Sequence, residues 1–168
     1  FGLKFTGSFV AGYSDQVTAP FVADEEIRIS TMSLVNDLLA DGGEVALHGF
    51  NHQPLSLNQL RMQEYGYIAW PDQNQIAAAL RQTSAFFNNM YPKYTFFSYV
   101  PPSDLLEPEA LLPLLESVPS IKVISSAYYD NGNSAFIQEF GLDGRYGVAL
   151  PKVTSGAFLT DEVRFLIA

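Results

Sequence analysis

Hydrophobic positions along the chain follow two spacings, one typical of strands and the other of helices. Apolar residues recur with helical spacing between positions 32 and 39, and the Asp-Gly-Gly at 41–43 predicts that this helix ends there. The apolar run 45–47 predicts a short buried strand, and residues 3–10 predict another strand before the helix. This part of the chain therefore predicts a strand–helix–strand unit of a parallel sheet.

The same alternation continues through the middle of the chain. Asp72 follows a proline and has Gln75 three residues later, which predicts an N-cap and a capping box at the start of a helix that ends near positions 91–92. The aromatic run 94–100 then predicts a strand that stops at two prolines.

The last third of the chain contains further elements of both kinds. We expect a helix over 109–117 with a kink at Pro113, and a strand over 121–125. Residues 136–140 are compatible with a short helix or an irregular segment, and 146–150 with another strand.

Strands and helices alternate over the whole length of 168 residues, which is a suitable size for a single α/β domain spanning 1–168. Its strands should be mostly parallel. They would form either a (β/α) barrel-like arrangement, distorted or incomplete, or an open parallel sheet. Both folds bring the carboxyl ends of the strands to one face, where such folds place their functional sites.

Charge and composition exclude several classes of function. The formal net charge is −9 and no basic run occurs, which argues against a nucleic-acid partner. No apolar stretch approaches the roughly 20 residues that a membrane span requires. Because the chain has no cysteine, thiol nucleophiles, disulfides and cysteine metal sites are excluded.

The two histidines of the chain, His48 and His52, lie four residues apart just after the predicted strand at 45–47. Gly49 and Pro54 argue against a helix here, so the pair should sit on a loop at a strand end. Two imidazoles on such a loop can hold a divalent metal, for which zinc is the first candidate. The alternative is that both side chains only pack and form hydrogen bonds.

Residues 48–52 read His-Gly-Phe-Asn-His and follow the predicted strand at 45–47. They resemble the second motif, H-[ST]-x-x-H, of the polysaccharide deacetylase, or NodB-homology, superfamily, and residues 41–47 resemble the approach to that motif. Residues 5–12 are similar to its A-T-F-F-x-x-G strand, and 99–103 (Tyr-Val-Pro-Pro-Ser) stand where R-P-P-[YF]-G would fall. The string 48–55 is most similar to a divergent branch, the exopolysaccharide deacetylase domains of the Pel type.

The resemblance covers about the first two thirds of the chain and implies a function. It implies a metal-dependent hydrolase that removes acetyl groups from the N-acetylhexosamine units of a polysaccharide or oligosaccharide. His48 and His52 would be two of three ligands of a divalent metal, with zinc as the first candidate. The resemblance alone implies a location in the cell envelope or outside the cell.

The chain also departs from the family pattern. It contains no Asp-Asp pair, which by the alignment would precede Phe1, and Val100 stands in the place of the motif-three arginine. It has no third histidine for the family's general acid, so the catalytic residues stay unassigned. We therefore expect a fragment that lacks the first strand and the C-terminal end of the fold, and that is inactive alone.

Two other functions stay open. One is a catalytically degenerate domain of the same fold that binds carbohydrate or a partner. The other is a different metallohydrolase acting on phosphoesters or amides, which would need a carboxylate-rich cluster that the sequence does not show.

The predicted substrate-binding residues follow the predicted strands or lie close to the histidines. Alternative roles are turn formation for Asn51, helix N-capping for Ser103 or Asp104, and solvation for Lys152. Aromatic residues near the histidines can stack on sugar rings or belong to the core. The predicted set is Asn51, Trp70, Tyr99, Pro101, Pro102, Ser103 and Lys152, and Tyr65 and Tyr67 are further stacking candidates.

Overall fold

A single mixed sheet organises the molecule. The structure, a computed structural model, describes residues 4–126, 138–142 and 145–151. Six strands pair in the order β1-β2-β3-β4-β6-β5. The first four are parallel and follow chain order, β6 is parallel to β4, and β5 is antiparallel to β6. The strands are β1 Thr6–Phe9, β2 Glu44–Leu47, β3 Ser98–Tyr99, β4 Val123–Ser126, β5 Gln138–Leu142 and β6 Arg145–Pro151.

Helices connect the first four strands. They are α1 Glu25–Ala40 between β1 and β2, α2 Gln59–Glu64 and α3 Gln73–Met90 between β2 and β3, and α4 Leu111–Ser117 between β3 and β4. Two 3-10 turns, Pro102–Asp104 and Pro108–Ala110, precede α4. In the described part of the chain, no helix has the length and apolar character needed to cross a membrane.

The start of α3 confirms the predicted N-cap. The Asp72 side chain accepts a hydrogen bond from the backbone N–H of Gln75 at 3.0 Å. Such a bond satisfies one of the backbone donors that a helix start leaves without a partner. The Gln75 side chain does not close the predicted capping box, because its oxygen accepts from the backbone N–H of Ala19 at 2.8 Å.

The two faces of the sheet differ in chemistry. On one face, large buried side chains stand opposite one another across the four parallel strands, where Phe9 pairs with Leu47, Leu47 with Tyr99, and Tyr99 with Ile124. Buried residues of α1, α3 and α4 belong to the same core cluster, so these three helices cover this face. The other face carries small or polar residues, such as the paired Ser8 and Ala46.

The predicted strand at 94–100 is much shorter in the structure, where only Ser98 and Tyr99 pair with neighbours. A side chain replaces the missing strand partner. The Tyr94 hydroxyl accepts from the Val45 N–H at 2.7 Å and donates to the Val45 carbonyl at 2.8 Å. Since these bonds satisfy the β2 backbone, the chain before Ser98 does not need to run alongside β2.

The prediction of a short helix or irregular segment over 136–140 is wrong for the described residues, since 138–142 form β5. This segment is a strand because it pairs with β6, and the local sequence pattern does not indicate such pairing. The predicted helix over 109–117 begins only at Leu111, after a 3-10 turn. Pro113 therefore lies in the first turn of α4, where a missing N–H costs little.

Candidate functional site

His48 follows β2 directly and is fixed by its neighbour strand. Its Nδ1 lies 2.6 Å from the backbone carbonyl oxygen of Val100, the residue that follows β3. A carbonyl oxygen only accepts hydrogen bonds, so Nδ1 must carry the proton. In the neutral ring the lone pair is then on Nε2. Metal-binding histidines are commonly oriented by a bond of this kind from their other ring nitrogen.

The loop after His48 turns sharply and brings the second imidazole back to the first. Gly49 has φ 86° and His52 has φ 61°, both in the left-handed region. The two imidazole centroids lie 4.9 Å apart, with an angle of 69° between the rings. Zn–N bonds of about 2.1 Å and a tetrahedral angle would place two ligating rings roughly 5 Å apart. The predicted pair is thus brought together at a distance that fits a shared ion.

Unusual backbone conformations are concentrated near this loop and the loop after β3. In the described ranges, the non-glycine residues with positive φ are His52, Ser103 and Asp104. Such conformations cost free energy and tend to cluster at functional sites. The alternative role of Ser103 or Asp104 as a helix N-cap is wrong, because both lie in a 3-10 turn with φ of 49° and 59°.

Asn51 anchors the loop after β1 to the histidine loop. Its Nδ2 donates to the carbonyl oxygens of Ser14 and Gln16, each at 2.7 Å. The Asn51 side chain is buried, and its Oδ1 has no hydrogen-bond partner among the described residues. The same holds for Oε1 of Gln53, so two buried amide oxygens that lack a donor flank His52 in the sequence.

Tyr67 reaches the site from the connection between β2 and α3. Its hydroxyl lies 2.5 Å from Ser103 Oγ, and its ring centroid lies 6.5 Å from that of His52. Gly66, with φ 75°, ends the turn after α2, and the Tyr67 N–H donates to the Met62 carbonyl at 2.9 Å. These bonds form a Schellman motif, which fixes the chain direction as it enters Tyr67.

Five of the predicted substrate-binding residues are buried, Asn51 among them. Trp70 is only 2% exposed and donates through Nε1 to the Pro54 carbonyl, so the prediction that its ring stacks on a sugar is wrong for this structure. Tyr99 is fully buried, and burial raises the pKa of its hydroxyl well above the usual range. Pro101 and Pro102 are also buried, so they lie on the interior side of the loop after β3. Lys152 lies outside the described residues.

The described residues bring two potential metal ligands together but not a third. Among residues 4–126, 138–142 and 145–151, no group of three or more histidine, aspartate or glutamate side chains is placed to hold an ion. A metal ion held by the histidine pair would therefore need a further ligand from elsewhere in the protein, or water.

An open pocket of about 430 Å³ lies away from the histidines, at the C-terminal ends of α1 and α3. Its lining is almost entirely apolar and includes Leu39, Met90 and Tyr94. Since it contains no histidine or carboxylate, we place the candidate site at the histidine pair instead.

Comparisons with known proteins identify a family and one distant structural neighbour. The family model described as "Uncharacterised protein conserved in bacteria (DUF2194)" matches residues 1–168. No curated protein matches the chain. A crystal structure of 4-alpha-glucanotransferase from Thermococcus litoralis is similar, with a TM-score of 0.54 and 14% identity over 99% of this chain. The chain covers 23% of that protein, so the likeness concerns the fold of one part of it.

Proposed function

Because this chain belongs to the bacterial family DUF2194, whose description names no activity, we propose its function from the site itself. We propose a metal-dependent hydrolase domain of the polysaccharide deacetylase type, acting on N-acetylhexosamine units of a polysaccharide or oligosaccharide. A place in the cell envelope or outside the cell is part of the same proposal and rests on the motif resemblance.

The observation that carries the proposal is the arrangement of His48 and His52. Their rings lie 4.9 Å apart, and the bond from His48 Nδ1 to Val100 leaves Nε2 as the metal-binding nitrogen of the neutral ring. Bound by this pair, a divalent ion such as zinc supplies Lewis-acid polarisation of an acyl carbonyl and acidifies a bound water.

The loop after β3 supports the resemblance to the third deacetylase motif. When Val100 is aligned with the arginine of R-P-P-[YF]-G, Asp104 falls at the glycine. Asp104 has φ 59°, a conformation that favours glycine. The Val100 side chain cannot replace the arginine, but its backbone carbonyl still orients His48.

The sheet also suggests where the carboxylates that the resemblance implies would lie. The resemblance assigns the third ligand and the general base to an Asp-Asp pair on a strand that precedes the one equivalent to β1. In the described sheet, β1 is an edge strand with β2 on its inner side. A strand added at this edge would bring its carboxyl end next to β1, one strand away from His48.

The sheet supports a (β/α) barrel-like fold, incomplete in the described residues. Its first four strands are parallel and follow chain order, and α1, α3 and α4 all pack against the same face. Doubly wound open sheets reverse the strand order and place helices on both faces. The small and polar residues of the other face, such as Ser8 and Ala46, would then line the inside of the barrel.

A second candidate function is carbohydrate or partner binding without catalysis. It is favoured by the lack of a third metal-binding side chain among the described residues and by the presence of only two histidines in the 168 residues. In this case the full-length protein would bind a saccharide but release no acetate from it.

The test is the metal content of the purified full-length protein, measured by elemental analysis. We expect about one equivalent of zinc or a similar ion per domain, and a loss of at least tenfold in His52→Ala and in the double variant His48→Ala/His52→Ala, because each loses an imidazole ligand. The exposed Gln63→Ala serves as a control that should keep the full metal content.

His48 also joins two strands, so the His48 variant can lose metal by unfolding. His52→Ala is the more direct variant, and circular dichroism should show an intact fold for it. Full metal stoichiometry in a folded double variant would contradict the proposed site. Acetate release from N-acetylhexosamine oligomers by the metal-loaded protein then separates the enzyme from the binding domain.

A further inference from the structure

Tyr67 and Ser103 form a pair of hydroxyls beside the histidines, contributed by two different loops. The Schellman motif at Gly66 fixes the approach of the chain to Tyr67, and packing of this side chain against Met62, Ala69 and Leu105 supports it from below. Ser103 is held on the other side by the turn over Pro102–Asp104. The two loops therefore together fix the positions of the Tyr67 and Ser103 hydroxyls.

Counting protons shows that this pair always offers one donor. Each hydroxyl carries one hydrogen, and the 2.5 Å bond between Tyr67 and Ser103 uses one of the two. The other O–H stays available whichever oxygen donates. Ser103 is exposed and Tyr67 half-buried, so this donor is open to the surface, and the Tyr67 ring centroid lies 6.5 Å from that of His52.

We propose that Tyr67 and Ser103 act together to donate a hydrogen bond to the carbonyl oxygen of an acyl group bound at the histidine pair. The inference rests on the proposed metal function of His48 and His52. It adds two residues beside the metal site that would recognise the acyl group. A hydrogen bond from this donor would strengthen as negative charge develops on the acyl oxygen, as in oxyanion holes.

The arrangement also explains why two hydroxyls are present. Loss of either one leaves a single O–H, which is still able to donate to the ligand. Loss of both leaves no side-chain donor from this pair. The prediction is therefore a small effect for each single variant and a much larger one for the double variant.

The experiment uses the full-length protein loaded with cobalt(II) and titrated with acetohydroxamic acid, a small acyl ligand that binds metal ions. Binding is followed by the change in the visible absorption of cobalt. We expect Tyr67→Phe/Ser103→Ala to weaken hydroxamate binding at least about tenfold, the lower end of the range for one lost hydrogen bond to a charged group, and each single variant about threefold or less. The exposed Tyr13→Phe, outside the predicted site, is the matched control.

Cobalt affinity is measured for every variant and separates the possible outcomes. Unchanged cobalt affinity with weakened hydroxamate binding in the double variant supports the proposal. Unchanged cobalt and hydroxamate affinities in the double variant overturn it and leave the metal site intact. Absence of cobalt binding by the unmodified protein overturns the proposed function itself, and this inference falls with it.

Discussion

At the scale of single residues, Tyr99 combines full burial with a hydroxyl that has no described partner. We expect Tyr99→Phe to raise the free energy of unfolding at pH 7 by about 1 kcal/mol, because it removes the desolvation cost of an unpaired polar group. Urea unfolding measures this value, and the exposed Tyr65→Phe should change it little. A loss of stability would mean that the hydroxyl has a partner in the folded protein.

The same residue predicts how stability depends on alkaline pH. Burial raises the pKa of Tyr99 in the folded state, so above pH about 10 the unfolded chain loses a proton that the folded chain keeps. With respect to this group, the free energy of unfolding keeps its full value below that pH and falls as the pH rises further. Tyr99→Phe should therefore show a smaller fall in stability above pH 10 than the unmodified protein.

Single residues also show what the sequence reveals of the site. The spacing of His48 and His52 predicts that both histidines lie at a strand end, and the structure brings their rings together. The contact between Tyr67 and Ser103 joins residues 36 positions apart, so no local pattern indicates it. The buried Trp70 likewise bonds to Pro54, 16 positions earlier in the chain.

At the scale of elements, Gly66 ends the turn after α2 with φ 75°, and a Cβ added there would meet no atom within 4 Å. Gly66→Ala should therefore cost about 1 kcal/mol of stability through the backbone conformation alone. Gly66→Asn is the matched control and should cost less, because asparagine tolerates left-handed conformations better. Thermal and urea unfolding measure both. Equal costs for the two variants would contradict this explanation.

The sequence indicates helices more directly than strands, for a physical reason. The cap at Asp72 and the apolar spacing within α3 are local, so the sequence shows them directly. The length of β3 depends on whether Tyr94 or a strand neighbour satisfies the Val45 backbone. The pairing that creates β5 involves a neighbouring strand and overrides the local pattern.

At the scale of the whole molecule, Phe87 joins α3 to the sheet and to the segment before β3. Its buried ring has its centroid 4.7 Å from that of Phe9, 4.8 Å from that of Phe96 and 5.3 Å from that of Tyr94. Phe87→Ala should cost about 3–5 kcal/mol of unfolding free energy, since it leaves a cavity in the main core.

Chemical denaturation of the purified protein measures this cost. Phe97→Ala serves as the control, because Phe97 is 52% exposed and should contribute little. Equal losses of unfolding free energy in the two variants would mean that the ring contacts of Phe87 do not stabilise the core.

The alternation of strands and helices was sufficient to predict an α/β fold with mostly parallel strands, and the sheet confirms it. The same alternation does not indicate which side chains stand opposite one another on the face of the sheet that the helices cover. The direct pairing of Phe9 with Leu47, and of Leu47 with Tyr99, is a matter of register between segments that are distant in the chain.

The bond between His48 and Val100 has a consequence for the cohesion of the sheet. β2 and β3 pair through one residue pair, Leu47 with Tyr99, and side chains supply further bonds across this junction. A ligand that binds His48 only in the folded state stabilises the domain by mass action, by about 2.7 kcal/mol at a concentration of 100 times its Kd. Occupancy of the site should thus be readable as a rise in melting temperature, even for ligands that undergo no reaction.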